Sequence, residues 1–591
     1  MMAEAEKKRS IFSLSPRLVM GGLRLLRYLF LHHFREVFVV TILVAVLALP
    51  FVMRGAVADQ APSGGERLTI LTPHNGTIRR EFGDAFSRHM REQLGRKVSI
   101  DWRNPGGTSE IARVIDSEFA ASFENYGKKK TQVSWKERLK KFDPRRGATV
   151  TKKKALDQNA RAEFLASNVG IGIDLFFGGG TYDFQVQAEK GHLVSQDHEE
   201  RYGLGALVTE EPEWFKEDVL AMSFGGEPFR DPENRWVGTC LSSFGICFNR
   251  DGLQRLGIQK VPDAWEDLAD PRLRGEVALA DPSKSGSITK AFEMLIQQQM
   301  AIAVAQEVAR AGQSELELSD EEIVRSALAQ GWRNGLRIIQ RIAANARYFT
   351  DSSSRIPLDV AQGNAVAGMC IDFYGRTFVE LAAAGPGGVS RVGYASPPGG
   401  TSVGADPIGM FRGAPRPDLA HAFMRFVLSP EGQRLWNYRA GAPGGPSATS
   451  LRRLPVRQDA YLSEELVHFT DPEVLPYQSS SLFTYHPKWT AGAFDAIRFI
   501  VRLMCVDSHD ELRESWRAIV AAGMPPDAVR IFEDLGMVNY GLAMGGIAET
   551  LSSGRKLEEL RLARDLLDSF SGQYRRAARL ARRSARPSLE K

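Results

Sequence analysis

Apolar positions change their period along this chain. Residues 68–71, Leu-Thr-Ile-Leu, form a short apolar run, and Phe82, Phe86 and Met90 then recur every fourth residue. Residues 98–102 alternate, with Val98, Ile100 and Trp102 on one parity. A period of two lines one face of a strand, and a period near 3.6 lines one face of a helix. The opening therefore predicts strand, helix, strand, and the Asn-Pro-Gly-Gly-Thr-Ser run at 104–109 opens a further helix. That order predicts an α/β lobe with a largely parallel sheet. The pattern resumes as a strand at 170–177, ending in three glycines before Thr181, Tyr182 and Asp183. Glycines there permit positive φ in a plain turn or close approach of backbone to a ligand.

Residues 239–248 read as one mostly apolar strand, and a second α/β lobe follows from about 252 to 373. It has a strand at 277–280, a loop at 281–287, a long helix from 288, and a strand at 365–371 that ends in Asp372-Phe-Tyr374-Gly-Arg376. Strands at 392–395 and 408–411 read as the return, so the chain crosses between lobes at least twice and a hinge is expected. Helical patterns follow at 419–428 and 432–439. Beyond about 453 the chain reads as a helical extension, in which Leu557, Leu560, Leu567 and Phe570 predict one packed face on the last helix.

Three stretches in order carry a family likeness. They are residues 236–250, from Trp236-Val-Gly-Thr to Asn249-Arg250; Pro262-Asp-Ala-Trp-Glu-Asp-Leu268; and Ala280-Asp-Pro-Ser-Lys-Ser-Gly-Ser287. Together they resemble the middle of a type 2 periplasmic solute-binding protein, and the resemblance runs from about Leu68 to about Arg453. It implies a two-lobed clamshell that captures a small solute for an ABC permease, as a monomer, without chemistry on the solute. On that reading lobe 1 is about 68–240 and 400–453, lobe 2 about 245–395, a basic insertion about 126–168, and 454–591 the helical extension.

The N-terminus carries an address. Residues 37–53 are seventeen consecutive uncharged, mostly apolar residues, preceded by seven Lys/Arg within the 1–36 leader from Lys7 on. By the positive-inside rule the leader stays cytoplasmic and the rest is exported. A seventeen-residue helix spans about 26 Å, slightly short of a ~30 Å hydrocarbon core. Ala56-Val-Ala58 has the form of a signal-peptidase site, so 37–58 reads as a cleaved signal peptide or an uncleaved anchor. Residues 59–67 read as a linker. The expected location is periplasmic or extracellular.

Composition is that of a globular chain, 43% hydrophobic and 25% charged, with net charge +5. The charge is uneven: residues 128–154 hold twelve Lys/Arg against two acids. No nucleic-acid fingerprint accompanies it, so it reads as a solvated insertion and no nucleic-acid partner is expected. Four cysteines, Cys240, Cys247, Cys370 and Cys505, have no metal-type spacing and read as buried free thiols. Cys240 and Cys247, placed on one strand, would face opposite sides.

Four loops at strand ends are candidates for the ligand site, because α/β sheets bind ligands outside the carboxyl ends of strands. They supply His74, Asn75 and Thr77; Thr181 and Tyr182; Ser283, Ser285 and Ser287; and Asp372, Tyr374 and Arg376. Hydroxyls and helix-terminal N–H groups favour a polar or anionic solute, and Arg376 is the candidate for holding a carboxylate or phosphate. The serines are equally readable as N-caps. Within the resembled family the ferric-ion-type subgroup is nearest, which makes Tyr374 a candidate metal ligand for transported Fe(III). Phe373 stands where the first of that subgroup's paired tyrosines would fall and Ile78 where its histidine would, so an exogenous anion would have to complete the iron's ligands. No resident cofactor is expected. The rival classes are a membrane-tethered sensor built on the same clamshell and a Ser-Lys hydrolase using Lys284 between Ser283 and Ser285.

Overall fold

A computed structural model describes residues 38–39, 42–44, 65–131, 161–195, 201–311, 320–383, 388–478 and 484–585. The basic leader, most of the apolar run, the Ala56-Val-Ala58 site, the linker up to residue 64 and insertion residues 132–160 lie outside them. Among the described residues no helix is long and apolar enough to cross a membrane. By contacts the chain divides into Met1–Glu66 with Arg96–Ser99, and Arg67–Gly95 with Ile100–Lys591. Within the first unit, Arg96 grips Glu66 at 2.8 and 2.7 Å.

The strands are β1 (Glu66–Leu71), β2 (Val98–Arg103), β3 (Leu175–Phe177), the small hairpin β4 (Ser223–Phe224) and β5 (Glu227–Pro228), β6 (Val237–Ser242), β7 (Phe244–Asn249), β8 (Val277–Ala280), β9 (Ala346–Thr350), β10 (Ala367–Ile371), β11 (Val392–Ala395), β12 (Gly404–Met410) and β13 (Leu454–Pro455). They build a six-stranded sheet in the order β13-β6-β12-β3-β1-β2 and a five-stranded sheet in the order β11-β7-β10-β8-β9. Each sheet is one lobe of an α/β clamshell. The chain leaves the first sheet at Ser243, between β6 and β7, and returns to it across residues 396–403, between β11 and β12. Residues 239–248 are thus two strands in different sheets. Cys240 and Cys247 are correspondingly on separate strands, and all four cysteines are buried free thiols.

Helices close both faces. In lobe 1, α1 (Gly76–Leu94) buries Ile78, Phe82, Phe86 and Met90, with α2 (Thr108–Thr131) and α3 (Thr181–Glu189) following their own strands. In lobe 2, α4 (Gly286–Ala311) and α5 (Asp320–Ala344) form a hairpin, and α6 (Asp372–Leu381) follows β10. The helices α7 (Pro417–Leu428) and α8 (Pro430–Asn437) return to lobe 1. Residues 170–174, expected as strand, are irregular. Gly170 lies against the backbone of 412–413, where a Cβ would stand 2.3 Å from the Gly413 carbonyl oxygen. The Asp174 carboxylate accepts from the amides of Thr69 and Arg416, while its backbone donates to the Thr69 carbonyl and accepts from the Phe411 amide.

The C-terminal segment starts as β13 of the lobe 1 sheet, and from residue 494 on it is built into lobe 2. Its helices α9 (Phe494–Val501), α10 (His509–Ala521), α11 (Pro526–Phe532) and α12 (Lys556–Ser584) share one hydrophobic core with β8, α4 and α5. Gln340 donates to the Phe532 carbonyl and the Tyr574 hydroxyl, and Trp516 donates to Asn345. On α12 the buried face is Leu566, Phe570, Tyr574, Ala577 and Ala581, one turn or more beyond the expected start, while Leu557 and Leu560 are exposed.

Candidate functional site

One cavity of about 220 Å³ lies between the sheets. Of the residues singled out from sequence, it is lined by His74, Thr181, Tyr182, Ser285, Ser287 and Tyr374. Asn75, Thr77, Ser283, Asp372 and Arg376 do not line it. Asn75 caps α1, its Oδ1 accepting from the Ile78 amide at 3.0 Å, and Thr77 sits in that helix's first turn. Ser283 has its amide on Asp281 and its carbonyl under Arg113. Arg376, the expected anion clamp, is committed to the protein: it pairs with Asp372 at 2.9 Å, lies 3.7 Å from Asp471, and donates to the Arg452 carbonyl.

Three helix beginnings meet in the cavity. Gly107 and Thr108 open α2, Gly180 and Thr181 open α3, and Ser285 and Gly286 open α4. A Cβ on Gly286 would stand 3.8 Å from both Thr108 Cβ and Asp183 Oδ2, and one on Gly107 would stand 2.8 Å from the Lys284 carbonyl oxygen. The first amides of a helix have no partner within it and carry its positive end. No side chain caps α3. At α4, Ser285 Oγ accepts from the Ile288 amide at 3.4 Å, so Ser285 is the cap and the amides of Gly286 and Ser287 remain in the first turn.

Several lining residues had no signal in the sequence. Arg453, 3% exposed, puts Nη2 2.7 Å from Asp406 Oδ2 and its guanidinium over Phe373. Burial raises the Asp406 carboxyl, and Arg453 opposes that. Lys290 of α4 reaches Glu227 of the β4–β5 hairpin at 3.1 Å and Glu293 at 2.9 Å. Burial alone would lower the Lys290 ammonium, but the two carboxylates outweigh it and keep it protonated. Ser402, in the return crossing, donates to Glu227 at 2.6 Å. Lys290 and Glu293, spaced i, i+3, were open to recognition as a helix pair; Glu227, Ser402 and Arg453 reach the site only through tertiary folding.

Other groups are tuned by the same burial. His74 packs against Phe177 and Trp436, its Nε2 is buried without a partner, and burial holds it well below the usual histidine range. It is therefore a neutral imidazole. Asp183 is buried and raised to about 6, although Arg498 opposes the shift. Burial raises the Tyr374 phenol, against Arg453 and hydrogen bonds with Asn75 and Ser354. Lys284 is held protonated by its hydrogen bond to Asp351 at 2.6 Å, which removes it as a base for a neighbouring serine.

Residues 216–462 match the family described as bacterial extracellular solute-binding protein. Over this stretch the chain is similar to that family. The stretch takes in both crossings, the whole second sheet and the return helices, and the family is one of binding proteins, not of enzymes. An uncharacterized protein of Haemophilus influenzae is 25% identical over 293 residues, 49% of this chain and 64% of that protein. The phosphoglycerate transport regulatory protein PgtC of Salmonella typhimurium is 22% identical over 199 residues, 34% of this chain and 40% of that protein. The matches thus span less than two thirds of either relative's length. Among solved structures, the periplasmic binding protein AfuA from Actinobacillus pleuropneumoniae, with bound fructose-6-phosphate, has 18% identity, covers 63% of this chain and 82% of its own, and has a TM-score of 0.39. Iron-bound HitA from Pseudomonas aeruginosa has 13% identity, covers 74% and 99%, and has a TM-score of 0.42. Neither likeness assigns a solute here.

Proposed function

We propose that this protein captures one small polar solute, with an anionic group, between its two lobes outside the cytoplasm and delivers it to an ABC permease. The observation that carries this is the meeting of the α2, α3 and α4 beginnings from opposite lobes within one cavity. A solute touching both lobes favours the closed arrangement by its differential affinity for it, which is how a clamshell reports occupancy. Every lining cation already faces a carboxylate: Lys284 has Asp351, Lys290 has Glu227 and Glu293, and Arg453 has Asp406. The anion is therefore held by N–H groups and hydroxyls rather than by a free cation.

Fe(III) with a synergistic anion is supported less well. Tyr374 stands alone beside Phe373, and burial disfavours the phenolate that Fe(III) selects as a hard donor. One observation favours a different solute, an amine: five lining carboxylates, Asp183, Glu227, Glu293, Asp351 and Asp406, face three cations. A membrane-tethered sensor would use the same cleft with the N-terminal run uncleaved.

A thermal-shift series with 3-phosphoglycerate, fructose 6-phosphate, inorganic phosphate, Fe(III) citrate and spermidine tests the reading. A ligand at a hundred times its Kd adds about 2.7 kcal/mol of stability. A shift with a phosphorylated solute supports the proposal. A shift with spermidine or Fe(III) citrate alone replaces it.

A further inference from the structure

From residue 484 on, the C-terminal segment belongs to lobe 2 by its packing, yet it touches lobe 1 in two places. Its first described residues are fixed to α4. Tyr485 Oη and Thr490 Oγ1 donate to Glu293 at 2.9 and 2.6 Å, and the backbone of His486 exchanges two hydrogen bonds with Gln297 at 2.9 Å each. From that base the Tyr485 amide donates to the Gly225 carbonyl of the lobe 1 hairpin at 2.7 Å. At the other side of the cavity, Tyr182 of α3 donates to Asp495 Oδ2 at 2.9 Å, with its ring 4.4 Å from that of Phe494. Tyr485, Pro487 and Phe494 also line the cavity.

We propose that residues 484–498 are a latch: they move with lobe 2, form a third wall of the cavity, and clasp lobe 1 through Tyr182 and Asp495 when the lobes close. The argument is geometric. Ala496, Ile497, Phe499, Ile500 and Val501 are buried in the lobe 2 core, so α9 cannot follow lobe 1 without unpacking. Tyr182 is in the first turn of a lobe 1 helix, so opening the lobes separates it from Asp495. The contact therefore exists in the closed arrangement and contributes to it directly. The apparent affinity of a clamshell scales with the fraction of molecules in the competent state. Residues outside the two lobes' own loops thus set how tightly a solute is held. This last step rests on the solute-binding reading; the closure itself does not.

The experiment is built to separate the two. Spin labels are placed on Arg88→Cys in α1 and Gln254→Cys in lobe 2, both exposed; the four native cysteines are buried and should take no label. Distances between labels are measured by pulsed electron resonance without any added solute, in the full chain. Tyr182→Phe removes the donor and keeps the ring, and Asp495→Ala removes the acceptor. Each should lower the closed-to-open ratio about two- to tenfold, the size of one hydrogen bond, with the double variant no lower than the singles. Asp507→Ala, which breaks the exposed Arg502 pair in the same segment, should leave the distribution unchanged. All variants should keep the wild-type melting temperature within a degree or two. Identical distributions in wild type, Tyr182→Phe and Asp495→Ala overturn the latch. A second arm titrates inorganic phosphate and spermidine: failure of both to bind counts against those solutes and leaves the solute-free result standing.

Discussion

Arg453 Nη2 and Asp406 Oδ2 stand 2.7 Å apart at the edge of the cavity, with the Phe373 ring under the guanidinium. Breaking a buried ion pair from one side leaves the other charge stranded, which costs about 3–5 kcal/mol. Arg453→Met should therefore lower the midpoint of urea unfolding sharply. Adding Asp406→Asn should recover much of the loss, since the pair is then replaced and not broken. If the single and double variants unfold at the same urea concentration, the pair is not the stabilising unit.

Gly107 of lobe 1 meets the carbonyl of Lys284 in lobe 2 so closely that a Cβ would lie 2.8 Å from the oxygen. Alanine there overpacks only the closed arrangement. The cost of about 1–3 kcal/mol should appear as a five- to two-hundredfold loss of solute affinity, with unfolding of the free protein nearly unchanged. Isothermal titration alongside a denaturation curve reads both. A stability loss equal to the affinity loss would show that the clash acts within one lobe.

Asp183 supplies the pH dependence. Its folded pKa is raised, chiefly by burial, from about 4 to about 6. A carboxyl with a raised folded pKa contributes stability that is fully present below its unfolded pKa and lost as pH rises through the folded one. Asp183→Asn should thus be more stable than wild type at pH 8, by up to about 3 kcal/mol, and the difference should shrink through the window from 6 to 4. Near pH 3.5 the two should melt together. The same substitution decides the sign of the solute. Removing a carboxylate 3.8 Å from the Cβ position of Gly286, at the start of α4, should strengthen binding of an anion at pH 7.5 and weaken binding of an amine.

Why some of this was legible in the sequence and some not follows from burial. The helix with Phe82, Phe86 and Met90 has one wet face, so its period survives in the text. The strands β6 and β7 are buried on both faces, all twelve of their residues, and read as one apolar run. Nothing in such a run marks the point where the Phe244 amide turns to Thr401 Oγ1 and the chain changes sheets. The site divides in the same way. Loops at strand ends named Thr181, Ser285 and Tyr374, because backbone order fixes where those loops lie. The same loop order also named Arg376, but Asp372 and Asp471, the latter distant in the chain, pair with it away from the cavity. Arg453, Glu227 and Phe494 come from elements far apart in the chain, and only packing brings them to the cavity.

The last prediction concerns the C-terminal helix. Tyr574 is fully buried; its hydroxyl donates to the Met504 carbonyl at 3.0 Å and accepts from Gln340 at 3.0 Å. Tyr574→Phe keeps the ring and leaves both partners short of a bond, which should cost about 1–3 kcal/mol. Ending the chain at Gly554 does far more, because it strips Leu566, Phe570, Tyr574, Ala577 and Ala581 from the lobe 2 core at once. Fully burying one such large side chain is worth about 1.5–3 kcal/mol, and a domain's whole stability is about 5–15 kcal/mol. The truncated protein should therefore fail to accumulate in soluble form, or should lose its near-ultraviolet circular dichroism while Tyr574→Phe retains it. A soluble truncated chain with the wild-type unfolding midpoint would show that lobe 2 is complete without α12, contrary to the shared core.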